Sequence, residues 1–302
     1  MTTATVIFSA VLAATLGAQQ KQQQLQQPPF VLPDNVEMKK DIEYARAGER
    51  ALLLDVFLPK EGAGPFPAVV YVHGGGWSGG NKSAFHRQAA HMATKGFVGA
   101  CIQYRLSGEA KYPAALHDVK AAVRWLRANA KQYKVRADRI GAAGGSAGGH
   151  LVSLLALTAG KPDFEGNVGV TGVSSDVHAV AAFNPALDLV GMGKTGAENT
   201  KGPLFGFFGN TYTDARQLYK EASPFTHVSS KAPPFLLLHG TADATVEYDQ
   251  SVMMQHELHK AGRHAELMTA TGAAHGFFNR PPWFEPTLKR MEEFFTAVLK
   301  NK

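Results

Sequence analysis

Cysteine is nearly missing from this chain. One thiol, Cys101, stands among 302 residues, which excludes an intramolecular disulfide framework and any zinc or iron–sulfur centre built on several cysteines. Acidic side chains are in deficit as well: 25 Asp and Glu against 31 Lys and Arg leave a formal charge of +6. Only 19% of residues are charged and 45% are hydrophobic, the balance of a globular enzyme and not of a disordered tail. Beyond the first 20 residues no apolar run approaches the roughly 18 residues of a membrane-spanning helix. No stable membrane insertion is expected.

Charged side chains are absent from Met1 to Ala18. An apolar stretch runs from Val6 to Leu16, and Leu16-Gly17-Ala18 supplies small residues ahead of the Gln-rich stretch Gln19–Gln27. Residues 1–18 therefore read as a signal peptide, and 19–35 as a Gln/Pro-rich spacer closed by Pro28-Pro29 and Pro33. The lack of Lys or Arg before the apolar stretch departs from that pattern, and a short buried N-terminal helix is the alternative. The first reading implies a secreted or periplasmic protein, which a chain with one thiol suits. One folded domain is expected over 36–302.

The basic excess is unevenly spread. Lys120, Arg124, Arg127, Lys131, Lys134, Arg136 and Arg139 fall within twenty residues, opposed by Asp138. Helical spacing turns Ala121, Trp125 and Leu126 toward a core and the cations outward. A solvated helix face is the expectation. No aromatic–basic interleaving or DNA-binding motif accompanies the run, so no nucleic-acid partner is expected.

From Val36 onward, strand and helix signals alternate. Lys39–Arg46 and Leu52–Phe57 read as leading strands around the turn Ala47-Gly48-Glu49. Further strands are expected at Ala68–Val72, Phe97–Tyr104, Arg139–Gly144, Ala179–Phe183, Phe235–His239 and Ala265–Thr269. Helices are expected at Ser83–Lys95, Pro113–Ala130, Ala147–Thr158 and Tyr248–Ala261, with a last apolar stripe through Phe284, Leu288, Met291, Phe295 and Val298. Such alternation predicts an α/β fold: a mostly parallel central sheet of eight strands with helices on both faces.

Chemistry enters at Gly144-Gly145-Ser146-Ala147-Gly148. A sharp strand-to-helix turn exposes a serine hydroxyl above the sheet, and the residues two before and two after it must be small. With 12 serines in the chain, roughly 0.1 such matches arise by chance, so the strand before and the helix after carry the weight. The bland alternative is a glycine-rich packing turn. His73-Gly74-Gly75-Gly76-Trp77 follows another strand, and its glycines can turn backbone N–H groups toward a developing oxyanion. The loop lacks the Gly-Lys-Ser/Thr ending of a nucleotide loop and fails the dinucleotide spacing. His73 and Trp77 read as residues that organise this loop.

A nucleophilic serine needs a base and a group to orient it. Among 12 histidines, His275 lies after the last strand, in a loop that should emerge on the same sheet edge as Ser146. His150 is one helical turn past Ser146 and reads as structural, His239 ends a strand, and His256, His259 and His264 accompany a surface helix. Asp243 follows a strand at the same edge; Asp249, its nearest rival, falls in the next helix. Ser146, Asp243, His275 is the chain order of a serine hydrolase on this sheet.

These residues carry a family resemblance. His73–Trp77, Tyr104-Arg105-Leu106, Tyr112-Pro113-Ala114 through Trp125, Gly144–His150, Ala222-Ser223-Pro224, His239–Asp243 and Gly272–Phe277 resemble, in order, the α/β-hydrolases of the hormone-sensitive-lipase-like and bacterial feruloyl- and acetylxylan-esterase-like branches. The resemblance covers the chain from about Val36 on. It implies a carboxylesterase without a cofactor, with Gly75, Gly76 and Ala147 as oxyanion donors. A helical cap ahead of the first strand is frequent in the lipase-like members, and the Gln/Pro-rich segment is a poor candidate for it. Trp77 and the insert bearing Phe205, Phe207 and Phe208 are expected to wall the substrate site, with ordinary core packing as the alternative for the phenylalanines. The expected substrate is a short-chain ester, small or on plant polysaccharide, acetyl or feruloyl. The rivals are an amide-cleaving arylformamidase-like or peptidase-like hydrolase and a silent carbohydrate-binding hydrolase fold.

Overall fold

The computed structural model describes residues 30–300; the expected signal peptide, 1–18, and positions 19–29 of the spacer lie outside the described residues. Among the described residues eight strands form one sheet: β1 (Val36–Ala47), β2 (Arg50–Pro59), β3 (Phe66–Val72), β4 (Val98–Ile102), β5 (Val135–Gly145), β6 (Val180–Phe183), β7 (Phe235–Gly240) and β8 (Ala265–Ala270). Their spatial order is β1-β2-β4-β3-β5-β6-β7-β8. The first two strands form a hairpin whose turn begins at Gly48, with φ of +60°, the conformation that glycine supplies most cheaply. β2 runs antiparallel to β4, and every pairing from β4 to β8 is parallel. The carboxyl ends of β3, β5, β6, β7 and β8 therefore share one edge.

Nine α-helices accompany the strands. They are α1 (His86–Thr94), α2 (Ala114–Ala128), α3 (Ala147–Leu157), α4 (Pro162–Glu165), α5 (Leu189–Thr195), α6 (Pro203–Phe208), α7 (Arg216–Ala222), α8 (Asp249–Lys260) and α9 (Phe284–Phe295) among the described residues. Alternate residues of β3 feed two cores, as strand periodicity requires. Val69 and Tyr71 pack with α1 and α9 through Met92, Met291 and Phe295. Val70 and Val72 pack with α2, α3 and α8 through Val123, Leu151 and Leu258. Cys101, on β4, is wholly buried in the first of these cores.

The expected solvated cation face on α2 is corrected by the structure. Lys120 and Arg124 are buried. Lys120 Nζ lies 2.7 Å from Glu165 Oε1 and donates to the carbonyl of Thr158 at 3.0 Å. Arg124 donates to the carbonyls of Glu165, Val168 and Val170, and Arg127 to those of Ala137, Ser174 and Asp176. Apart from α4, the chain between α3 and β6 has no regular element, so its carbonyls need side-chain donors. Amphipathic spacing alone does not distinguish a cation facing water from one satisfying buried carbonyls.

A second correction concerns the aromatic residues expected to wall a substrate slot. Trp77, Phe207 and Phe208 are 3%, 1% and 3% exposed. The Trp77 ring stacks on Phe207 at 4.7 Å, and its Nε1–H donates to His150 Nδ1 at 3.1 Å. Phe208 packs on Tyr219 at 4.1 Å. These rings fasten α6 to the body of the domain; of the insert's phenylalanines, Phe205 alone remains half-buried.

His150, wholly buried, donates from Nε2 to the Ala222 carbonyl at 2.7 Å. Burial pushes its imidazole down from 6.5 to about 4, only partly offset by that carbonyl. A depressed folded pKa gives stability that is complete above the unfolded value and lost as pH falls through the folded one. Unfolding free energy is therefore expected to decline between pH 6.5 and about 4, this one proton contributing up to about 1.4 kcal/mol per pH unit. His150→Gln, less stable at neutral pH, is expected to show a shallower decline in urea titrations across that window. An unchanged slope would contradict the assignment.

Candidate active site

β5 ends in Gly144-Gly145, and α3 starts at Ala147, so Ser146 alone makes the corner. Its φ of +54° and ψ of −120° are strained for a residue with a side chain. The neighbours show why positions 144 and 148 are glycine. A Cβ on Gly144 would stand 2.4 Å from the Gly148 carbonyl oxygen, and one on Gly148 would stand 2.1 Å from the Val72 carbonyl oxygen. Strand and helix backbones are in contact there, and the serine is pushed up to the carboxyl edge, half-buried.

His275 arrives from the loop after β8. Its Nε2 lies 2.9 Å from Ser146 Oγ, and its Nδ1 lies 2.7 Å from Asp243 Oδ2. An ionised carboxylate only accepts, so Nδ1 carries the proton and Nε2 faces the serine with its lone pair. Gly240 brings the two loops together: a Cβ there would stand 2.2 Å from the Ala273 carbonyl oxygen. Phe278 closes the other side, its ring 2.5 Å from where a Gly145 Cβ would sit. The sequence-predicted Ser146, Asp243 and His275 are thus brought into one hydrogen-bonded chain.

Asp243 is buried, and burial by itself would raise its carboxyl. Hydrogen bonds from His239 and His275 and from the N–H groups of Val246 and Thr245 outweigh that effect and hold it well below the usual carboxylate range. These partners favour the charged carboxylate. His239, read from the sequence as a strand end, has its Nε2 3.3 Å from Asp243 Oδ2 and 3.0 Å from the Val246 carbonyl. The rivals stand elsewhere. Asp249 opens α8 and is exposed, His256 and His259 lie exposed on the same helix, and His264 pairs with Glu266.

The glycine loop after β3 faces this chain. Gly75 and Gly76 have φ of +115° and +58°, and among the described residues neither N–H has an acceptor. The N–H of Ala147, first in α3, is one of the orphan donors of a helix start. Beneath the loop, His73 stacks on Tyr104 at 4.4 Å and bonds the Gly74 carbonyl through Nδ1 at 2.8 Å. His73 thus organises the loop and, among the described residues, makes no hydrogen bond to Ser146, His275 or Asp243. Pro203, at the start of α6, stands 3.5 Å from where a Gly76 Cβ would be, which sets the insert against the mouth of the loop.

Sequence reasoning missed Asn184. It follows β6 on the same edge and is buried, with Nδ2 3.3 Å from His275 Nε2. The available signal was Asn-Pro directly after a four-residue apolar strand, a position equivalent to those of Ser146 and Asp243. Among the described residues no group of three or more His, Cys, Asp or Glu side chains could hold a metal ion.

Known proteins share this arrangement of elements. The BD-FAE family model matches residues 54–258. The probable carboxylic ester hydrolase LipM of Mycobacterium tuberculosis (strain ATCC 25618 / H37Rv) is 35% identical over 220 residues, 70% of this chain and 49% of the relative. Esterase LipQ of the same organism is 34% identical over 242 residues, 76% of this chain and 56% of the relative. The chain spans about half the length of these curated relatives. Among solved structures, a truncated carbohydrate esterase from gut microbiota superposes with a TM-score of 0.78 at 29% identity, covering 88% of this chain and 97% of that one. Thermogutta terrifontis esterase 2 with propionate bound gives a TM-score of 0.73 at 30% identity, with 89% and 97% coverage. With a family model spanning most of the sheet and solved esterases of the same architecture, the chain belongs to the BD-FAE family of α/β-hydrolases.

Proposed function

We propose that the protein is a serine carboxylesterase acting on short-chain acyl esters. The observation that carries this reading is the unbroken hydrogen-bonded chain from Ser146 through His275 to Asp243 at a strained strand–helix corner. Ser146 Oγ attacks the ester carbonyl carbon while its proton passes to His275 Nε2. The carbonyl oxygen becomes an oxyanion facing the N–H groups of Gly75, Gly76 and Ala147, where each donor is worth about 10²–10³ in rate. Collapse breaks the bond to the alcohol oxygen, which takes the proton from His275. Water then attacks the acyl-serine, gives its proton to the same nitrogen, and releases the acid and free Ser146. Asp243 keeps Nδ1 protonated and stabilises the imidazolium that forms in each half.

The substrate class rests on kinship. Solved neighbours include a carbohydrate esterase and an esterase with propionate or butyrate bound. Acetyl or feruloyl groups on plant polysaccharide are the natural esters of this proposal, and export directed by residues 1–18 would bring the enzyme to them. Phe205, half-buried on α6 beside Pro203, is the insert side chain this proposal assigns to the acyl slot, whereas Trp77, Phe207 and Phe208 are buried.

Ser146→Ala, His275→Ala and Asp243→Asn are each expected to lower kcat on 4-nitrophenyl acetate by about 10⁴ or more with folding little changed. The His275→Ala/Asp243→Asn pair is expected to lose little beyond the worse single variant, because residues acting as one unit are not additive. A fluorophosphonate probe should label the parent and leave Ser146→Ala unlabelled. Near-parental turnover by purified Ser146→Ala would refute the nucleophile assignment.

Across aryl esters of graded acyl length, kcat/KM is expected to peak between acetyl and butyryl. It should fall roughly tenfold or more by octanoyl, the effect of about 1.4 kcal/mol of overpacking. Phe205→Ala should move the optimum to longer chains, whereas Trp77→Ala should lower the melting temperature and leave the optimum in place. Acetylated xylan and methyl ferulate run alongside distinguish the two polysaccharide esters. A parental optimum at octanoyl would overturn the short slot.

A further inference from the structure

We infer that Asn184 is a positioning residue for the base: its side-chain amide, pinned by the Gly276 N–H, holds His275 in its proton-accepting form and drives the proton onward once it has been taken. The inference rests on the esterase reading of Ser146 and His275.

Asn184 follows β6 in the left-handed region, with φ of +37°, and its side chain is fully buried. Among residues with side chains, Asn and Asp enter that region most readily. The side chain spans two partners on one loop. Oδ1 accepts from the Gly276 N–H at 3.4 Å, while Nδ2 lies 3.3 Å from His275 Nε2. A backbone N–H can only donate, so it fixes the oxygen on its own side and leaves the NH₂ group facing the imidazole. Nε2 then receives two donors, the Ser146 hydroxyl and the Asn184 amide.

Both donors favour the unprotonated nitrogen. When Nε2 takes the serine proton, its new N–H faces the N–H of Asn184, and neither accepts. The proton is better placed on the departing alcohol, which is where the reaction must send it. Asp has the same outline and the same backbone tolerance, yet it would put an oxygen where Nδ2 stands and give the protonated ring an acceptor. Glycine fits the backbone and supplies neither group. Donor, acceptor and left-handed backbone are met together by asparagine.

The groups facing His275 are few. Asp243 approaches Nδ1 from the loop after β7, with His239 of β7 behind that carboxylate, and Ser146 and Asn184 approach Nε2 from the ends of β5 and β6. Among the described residues these are its hydrogen-bonding neighbours.

Asn184→Asp is the informative variant. A carboxylate beside Nε2 favours the imidazolium, so the acid limb of the kcat/KM–pH profile is expected to move up by about one pH unit. The plateau kcat is expected to fall roughly tenfold, about 1.4 kcal/mol, with KM within about twofold. Asn184→Gly, which removes the donor without supplying an acceptor, is expected to lose a similar factor in kcat with a smaller upward move of the acid limb. Both variants should keep the parental melting temperature within a few degrees and still be labelled at Ser146 by the fluorophosphonate. An Asn184→Asp profile that superposes on the parent's, or an effect confined to melting temperature, would overturn the inference. A parent whose Ser146→Ala form remains active would instead overturn the esterase reading itself.

Discussion

Two backbones touch at Gly148, and the site is organised by that contact. A side chain there would run into the carbonyl oxygens of both Val72 and His73, so α3 could not begin against the end of β3. Without that approach the corner at Ser146 relaxes, and the glycine loop that starts at His73 loses its place opposite the serine. Nucleophile and oxyanion loop are thus positioned by one steric event, before any side-chain hydrogen bond is counted. The parallel register then brings the loops after β6, β7 and β8 to the same edge.

A carboxylate paired with histidine does not by itself make a catalytic centre, and this molecule holds a control. Asp55 is buried on β2, 2.9 Å from His86 and 2.6 Å from Lys82, and it accepts the Asp41 N–H. Burial would raise its carboxyl, but those partners bring it down to about 2. The chemistry resembles that of Asp243, which also gathers histidine and backbone N–H donors. The difference is topological. Asp55 fastens the irregular stretch of β1 around Asp41 and the turn holding Lys82 to the antiparallel end of the sheet, where, among the described residues, no serine hydroxyl is hydrogen-bonded to His86. Position on the carboxyl edge, more than the local set of charges, separates a structural pair from one that can do work.

Much of this was legible in the sequence because glycine and apolar runs report backbone events. Gly144 and Gly148 flank a serine between a strand and a helix, and the strand order of Ser146, Asp243 and His275 follows from their loops. The boundaries missed by a few residues are those set by tertiary contacts: β1 begins at Val36, ahead of the expected Lys39, and the helix expected from Ser83 opens as a 3₁₀ turn over Lys82–Phe85 capped by Asn81. Side-chain direction was less accessible. Lys120 and Arg124 are polar by composition yet buried, because their partners are carbonyls remote in sequence. Trp77 and Phe207 satisfy both an aromatic-wall pattern and a core pattern, and only their mutual stacking decides between them. Asn184 was invisible for another reason: its part depends on a bond to Gly276, 92 residues away.

Cys101 has a practical consequence. It is the only thiol in the chain, it sits in β4 with no exposed surface, and burial pushes its thiol far above the ordinary range. Thiolate chemistry at that site is suppressed while the fold persists. The native protein therefore offers a silent background for site-directed labelling: a cysteine introduced on α6 would be the one thiol a maleimide dye or spin label finds, and movement of the insert over the site could be followed without first removing a natural one.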